Sequence, residues 1–358
     1  MKATLILENW EHFSGESFWY EWQTNGEVVF NTWMVWYPEV LTDPSYTWQI
    51  LVSTYPLVGN YGIPDFEETD LFWFKKSFES DKVHIQALIV SEYSENYNHF
   101  EANMSLWEFL KKHKIPAITW IDTRYLTQKI REKWAILGRI VMWNISKIPD
   151  TFDNPNERNL SAEVSCKEKI VYGNGKKTIL LLDMGVKNNI IKNLLKYDTK
   201  VLRVSHDTKF MDEEIEFDGL FISNGPWDPT KNIIAIEQIK KAIKANKKIF
   251  WICLGNQLIS LASGAKTYKL KYGHRGQNQP CKDTLTGKCI ITSQNHGFAV
   301  DEKTLPKNIR TWFSNINDKT NEGIYFTDKN IRSVQFHPES TPGPNDANYL
   351  FKEFVDSL

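Results

Sequence analysis

A single cysteine separates a short apolar run from a helix-like stretch in Lys247-Lys248-Ile249-Phe250-Trp251-Ile252-Cys253-Leu254-Gly255-Asn256-Gln257-Leu258-Ile259-Ser260-Leu261-Ala262. Ile249 to Ile252 reads as a buried strand, and Leu258 and Leu261 fall on one face of a helix. Strand, cysteine, glycine and helix in this order is the layout of a nucleophile elbow, where a sharp turn lifts the side chain above the sheet. The helix N-terminus then points at the sulfur, which favours thiolate and leaves backbone N–H groups free for an oxyanion. The competing reading is a buried cysteine closing a core strand. A cysteine nucleophile also needs a base, and the base needs an orienting group. Ser333-Val334-Gln335-Phe336-His337-Pro338-Glu339 supplies both, because a strand-like run ends at His337 and a carboxylate follows two residues on. Glu339 on the same side of an extended segment would fix the imidazole tautomer.

Two further loops have the composition to hold a substrate. Phe221-Ile222-Ser223-Asn224-Gly225-Pro226-Trp227-Asp228-Pro229 is a turn after a buried strand, with backbone N–H groups for an oxyanion. Gln294-Asn295-His296-Gly297-Phe298-Ala299-Val300 passes from polar to apolar, and its glycine permits close backbone approach. Taken singly, each reads as an ordinary turn.

The elements that must position these residues form two groups. From Thr178 onward strands and helices alternate: 179–183, 187–195, 201–204, 219–223, 233–243 and 249–252. That alternation predicts βαβ units and a mostly parallel central sheet flanked by helices over residues 177–358. Cys253 then lies at the carboxyl end of a strand, where open α/β sheets place their sites. Residues 1–150 read as a mixed α/β domain rich in strands, with strands at 4–7, 27–32, 49–55, 84–90 and 115–121. Helices are expected at 105–113 and 122–131, the latter capped by Asp122. Residues 151–176, with Pro155 and Gly173-Asn174-Gly175, read as a linker.

At 358 residues the chain is long enough for two cores, and its net charge of −1 gives no electrostatic support for nucleic acid or a membrane surface. No apolar run approaches a membrane span, and the first residues do not form a signal peptide. Cys166, Cys253, Cys281 and Cys289 lack CxxC pairing or histidines at ligand spacing, so no metal site is expected and a reducing cytoplasm fits.

Ser-Asn-Gly-Pro-x-Asp-Pro, x-Ile-Cys-Leu-Gly-x-Gln, Gln-Asn-His-Gly-Phe-Ala-Val and Phe-His-Pro-Glu, in this order, resemble the class I glutamine amidotransferases. Within the leading domain, Gly26 to Thr32, Leu41-Thr42-Asp43-Pro44-Ser45-Tyr46, Tyr55 to Gly62 and Ile121-Asp122-Thr123-Arg124 resemble the small chain of carbamoyl-phosphate synthase. The resemblance implies that Cys253 attacks the glutamine amide to give a γ-glutamyl thioester and ammonia, with His337 and Glu339 as its partners. It implies oxyanion N–H groups at Gly225 and Leu254, and glutamine contacts from Ser45, Trp227, Gln257, Asn295, Gly297 and Phe298. It also implies a large-chain partner that takes the ammonia and uses bicarbonate, ATP and Mg²⁺, with no cofactor in this chain. The absence of a P-loop here agrees with that division.

Three departures stand out. Asn256 occupies a position where the family most often has histidine. Trp227 and Trp251 occupy glycine positions beside the proposed oxyanion site and nucleophile. The chain holds 14 tryptophans and 18 glycines, and glycine, at about 5%, falls short of the roughly 7% of ordinary proteins. The family pattern expects glycine at Trp10, Trp19, Trp36, Trp48, Trp120, Trp134, Trp143, Trp227 and Trp251, and glycine or serine at Trp33. The expectation is that the source reads UGA as glycine at these ten positions, and that most of Trp22, Trp73, Trp107 and Trp312 are true tryptophans. If the indoles are genuine, the alternatives are a non-catalytic amidotransferase-like subunit or a different class I amidotransferase.

Overall fold

A computed structural model describes residues 1–18, 22–35, 37–132, 136–142, 151–213, 215–226, 228–341 and 343–358, with Tyr272 described by its backbone alone. Trp19, Trp36, Trp134, Trp143 and Trp227 lie outside the described residues. The chain divides into two compact units, Met1–Glu157 and Arg158–Leu358.

Seven strands of the first unit close into a barrel: β1 (Lys2–Leu7), β2 (His12–Ser17), β3 (Thr24–Asn31), β4 (Gln49–Ser53), β5 (Ala87–Val90), β6 (Ala117–Thr119) and β7 (Ile136–Met142). Around it lie α1 (Tyr37–Thr42), α2 (Leu106–Lys112) and α3 (Thr123–Glu132). Ser105 and Glu108 form a capping box on α2. Asp122 Oδ1 accepts from the Tyr125 N–H and so closes the start of α3. Val29, Leu51, Leu88, Phe78 and Phe109 belong to the buried cluster of this unit.

The second unit carries one ten-stranded sheet. Its elements are α4 (Ser161–Val164), β8 (Ile170–Tyr172), β9 (Lys177–Asp183), α5 (Asn188–Leu195), β10 (Thr199–Ser205), β11 (Gly219–Ile222), α6 (Ile233–Lys244), β12 (Lys248–Ile252) and α7 (Leu254–Ala262). They continue with β13 (Lys266–Asp283), β14 (Cys289–Asp301), β15 (Ile309–Asn315), β16 (Asn321–Phe326), β17 (Ile331–Val334) and α8 (Tyr349–Ser357). The spatial order is β14-β13-β15-β16-β17-β12-β11-β9-β10-β8. The five strands β17, β12, β11, β9 and β10 are parallel, whereas β13 to β16 and β8 join antiparallel. The parallel core is therefore only the centre of a mixed sheet. The segment 151–176 contributes α4 and the edge strand β8, because Ile170, Val171 and Tyr172 suit a ladder beside β10.

Helices cover both faces of the parallel core. Leu180, Leu182, Leu220, Ile222, Ile249 and Trp251 point to one side, against Ala235, Ile239 and Ala242 of α6 and Leu254 and Leu258 of α7. The alternate residues Phe221 and Phe250 meet Phe351 and Phe354 of α8.

Tryptophan backbones depart from ordinary geometry. Trp10, Trp48, Trp73 and Trp120 have φ of 64°, 62°, 67° and 65°, a left-handed region where a bulky side chain is strained. Trp10, Trp48 and Trp120 are among the positions expected to be glycine. Trp73, one of four tryptophans of which most are expected to be genuine, shares their backbone. Trp33 and Trp251 are buried in their units' cores, yet neither indole N–H has a partner among the described residues.

Candidate active site

The register of the parallel strands brings the chemistry-bearing loops to one edge. Ile252 of β12 pairs with Val334 of β17, and Ile222 of β11 pairs with Leu182 of β9 and Trp251 of β12. Cys253, the 335–339 segment, the 223–226 loop and the 184–187 turn therefore all leave the sheet at the same carboxyl end.

Cys253 has φ 54° and ψ −106°, a strained conformation for a non-glycine residue. Strand β12 ends and α7 begins at this single residue, so the thiol stands at the helix N-terminus. Its N–H donates to the Val334 carbonyl at 2.9 Å, and its Sγ–H points to the Asn295 carbonyl at 3.8 Å. Gly255 is forced by the elbow: a Cβ there would lie 2.7 Å from the Ile222 carbonyl oxygen and 3.2 Å from Trp251 Cβ. Gly225 is equally constrained, since a Cβ would lie 2.1 Å from the Met184 carbonyl oxygen and 2.9 Å from Leu254 Cδ2. Gly225 and Leu254 thus come together, with the Leu254 N–H in the first turn of α7.

His337 and Glu339 are both buried, and His337 Nδ1 donates to Glu339 Oε1 at 2.6 Å. His337 N–H donates to the Ser293 carbonyl, which ties the base to the segment leading to Asn295. Burial by itself lowers the imidazole pKa, but the Glu339 carboxylate and the Cys253 sulfur push it up to about 10. Among the described residues His337 Nε2 has no hydrogen-bond partner within normal distance, although Cys253 is close enough to act on its charge.

Sequence reasoning missed Lys187. Asp183 Oδ1 accepts from the Gly185 and Val186 N–H groups at the end of β9, and the turn delivers Lys187 into the site. Lys187 Nζ lies 2.9 Å from Glu339 Oε1, with both side chains buried. Burial would raise the Glu339 pKa, but Lys187 and then His337 hold it down at about 2. The signal was available, because Asp183-Met184-Gly185-Val186-Lys187 is another turn after a buried strand.

Gln257 Nε2 donates to the Phe298 carbonyl at 2.8 Å and to Gln335 Oε1 at 3.1 Å. Asn256 Nδ2 donates to the same Gln335 oxygen, and Ser333 Oγ donates to Asn256 Oδ1 at 2.6 Å. Asn256 is therefore a knot between α7 and the exit of β17. Asn295 Nδ2 is buried without a hydrogen-bond partner among the described residues. Gly297 and Phe298 follow it on β14. Ser45 belongs to the first unit, buried in a short 3₁₀ turn that Asp43 caps through Oδ1. Trp227 falls outside the described residues. Trp251, expected beside the pocket, instead packs into the core beneath the elbow.

A thiol on a strand-to-helix elbow stands at the same edge as an imidazole–carboxylate pair just beyond the neighbouring parallel strand, and residues 180–357 match the class I glutamine amidotransferase family. Residues 5–140 match the CPSase domain of the carbamoyl-phosphate synthase small chain. The chain is 43% identical over 366 residues to the carbamoyl phosphate synthase arginine-specific small chain of Saccharomyces cerevisiae, covering 100% of this chain and 89% of that one. It belongs to the carbamoyl-phosphate synthase small-chain family. It is also 50% identical over 357 residues to the multifunctional protein CAD of Squalus acanthias, covering 99% of this chain and 16% of that protein. A mitochondrial carbamoyl-phosphate synthase [ammonia] of Aquarana catesbeiana is 43% identical over 360 residues, covering 99% and 24%. The chain spans about a sixth of the multifunctional relatives it matches. Among the described residues no helix is long and apolar enough to cross a membrane.

Proposed function

We propose that this chain hydrolyses glutamine and delivers the ammonia to a carbamoyl-phosphate synthase large chain. The observation that carries the reading is the array of Cys253, His337, Glu339 and Lys187 at one carboxyl edge of the parallel strands. His337 takes the thiol proton, and Cys253 Sγ attacks the side-chain amide carbon of glutamine. The oxyanion forms against the N–H groups of Gly225 and Leu254. His337 returns the proton to the amide nitrogen, ammonia leaves, and a γ-glutamyl thioester remains. Water, deprotonated by His337, then releases glutamate and restores the thiol. Lys187 keeps Glu339 ionised in a buried site, so the imidazolium has a counter-charge throughout. The chain needs no cofactor for this step, and ATP and Mg²⁺ belong to the partner.

Kinship alone does not decide between glutamine and ammonia as nitrogen source, since one relative is named for ammonia. Supporting glutamine are the presence of both nucleophile and base and the strain stored at Cys253. The test is Cys253→Ser in the assembled synthase. Glutamine-dependent carbamoyl phosphate synthesis should disappear while free ammonia still supports it. Equal loss of both activities would show that Cys253 is structural.

A further inference from the structure

A second buried polar system lies next to the site and takes no part in the triad. It starts at Asp318, whose Oδ2 accepts from His274 Nε2 at 2.8 Å. His274 Nδ1 then meets Glu322 Oε1 at 3.0 Å, and Glu322 Oε2 faces His296 Nε2 at 3.7 Å. His296 Nδ1 donates to the Phe298 carbonyl at 2.9 Å, the same oxygen that receives the Gln257 amide. His274 and His296 are register partners on β13 and β14, with ring centroids 4.9 Å apart, while Glu322 enters from β16. Glu322 is fully buried, and among the described residues its Oε2 has no hydrogen-bond partner within normal distance.

His274, His296 and Glu322 place ligand-type atoms within 4.8 Å of one another, so a metal must be weighed first. A metal-bound imidazole needs a lone pair on the ligating nitrogen. Both nitrogens of His274 face carboxylate oxygens, so both carry protons and neither is free to ligate. His296 must donate from Nδ1 to a carbonyl, which leaves the Nε2 lone pair facing two acceptors, Gln294 Oε1 at 3.4 Å and Glu322 Oε2 at 3.7 Å, of which only the carboxyl can carry a proton. Two acceptors in a dry site repel unless a proton lies between them. Burial raises the Glu322 pKa, which agrees with a proton on Oε2.

We propose that Glu322 is a positioning residue for the 295–298 segment: by sharing a proton with His296 it fixes the imidazole that holds the Phe298 carbonyl, while His274 and Asp318 anchor it from behind. The chain aligns Asn295, Gly297 and Phe298 for the substrate, and this inference rests on the reading that they contact glutamine. A glutamine at 322 mimics the protonated acid, since its oxygen accepts from His274 and its N–H donates to His296. A leucine keeps the bulk and removes both links.

Steady-state glutamine hydrolysis by the full chain bound to its synthetase partner tests this. Glu322→Leu should raise the glutamine KM about tenfold, the effect of losing one hydrogen bond of about 1.4 kcal/mol, with kcat changed less than about threefold. Glu322→Gln should stay within about twofold of the parent in both constants. Should Glu322→Leu fail to fold, His296→Asn, too short to reach the Phe298 carbonyl, must show the same KM-selective loss. An unchanged KM in the leucine variant, or a glutamine variant as impaired as leucine, overturns the proposal, as does one equivalent of metal in the purified chain. Absence of hydrolysis by the parent complex would instead refute the amidotransferase reading itself.

Discussion

Replacing Trp10, Trp48, Trp73 and Trp120 together by glycine should stabilise the protein, against the usual outcome of deleting large aromatic side chains. All four residues have φ between 62° and 67°. A non-glycine residue there costs roughly 1–2 kcal/mol, and the greater freedom of glycine in the unfolded chain takes back roughly 0.5–1 kcal/mol. Little burial is lost at three of the sites, because Trp10, Trp73 and Trp120 are 50%, 86% and 63% exposed and the ring contact of Trp10 with Phe152 is a single edge, whereas Trp48 is half-buried. The four sites occupy separate turns of the first unit and should add, giving about 2–4 kcal/mol in all. At about 2–4 °C per kcal/mol, the melting temperature should rise by about 4–16 °C in calorimetry of the full chain. The same reasoning predicts UGA codons at these four positions and at Trp19, Trp33, Trp36, Trp134, Trp143, Trp227 and Trp251. UGG is expected at Trp22, Trp107 and Trp312; Trp312 is buried under the Arg332 guanidinium and behaves as a true core residue. A fall in melting temperature, or UGG at the four left-handed positions, would refute the argument. UGG at Trp227 and Trp251 would bring back the non-catalytic alternative.

Other perturbations separate the roles of the site residues. If Ser45 contacts glutamine, as the family resemblance implies, Ser45→Ala should raise the glutamine KM more than it lowers kcat, because the contact would be lost in ground and transition states alike; the reverse split would deny it. Lys187→Met leaves Glu339 buried beside one cation fewer, so hydrolysis should fall by about 10²-fold or more and thermal stability by about 3–5 kcal/mol, whereas an active, stable variant would show that His337 suffices. His274 faces Asp318 and Glu322 with His296 alongside, and the two acids raise its pKa from 6.5 to about 9 despite burial. A raised folded-state pKa gives stability that is complete below pH 6.5 and lost as pH rises through about 9. Melting temperatures between those values should decline in the parent and stay flatter in His274→Asn; parallel curves would count against the His274–Asp318 ion pair.

The parallel core was readable because each strand is a short apolar run followed by a helix of matching period, a local signal. Strand ends were less so: β5 begins at Ala87 rather than His84, and β6 covers only Ala117–Thr119. Closure of the barrel depends on pairings such as Leu5 with Ile140, which no local pattern announces. The eighteen residues of β13 were not read as a strand, since Lys266 to Asp283 are largely polar and the ladder with β14 is interrupted by bulges. The site was legible where a residue type is chemically distinctive, as with Cys253, His337 and Glu339. Lys187 and Glu322 act through burial and neighbours, which appear only once distant strands are side by side. The left-handed backbone of Trp73 was not legible either, because its turn has no hairpin signature.

The closed barrel of the first unit has a consequence for how such a module coexists with others. An open sheet offers unpaired N–H and C=O groups to any strand nearby, and protein segments strung along one polypeptide are at high mutual concentration while they fold. Among the described residues every strand of this barrel is paired on both sides, so it has no such edge to offer. It can stand next to other folding units without capturing their strands, and whatever docks on it must recognise side chains rather than extend a ladder.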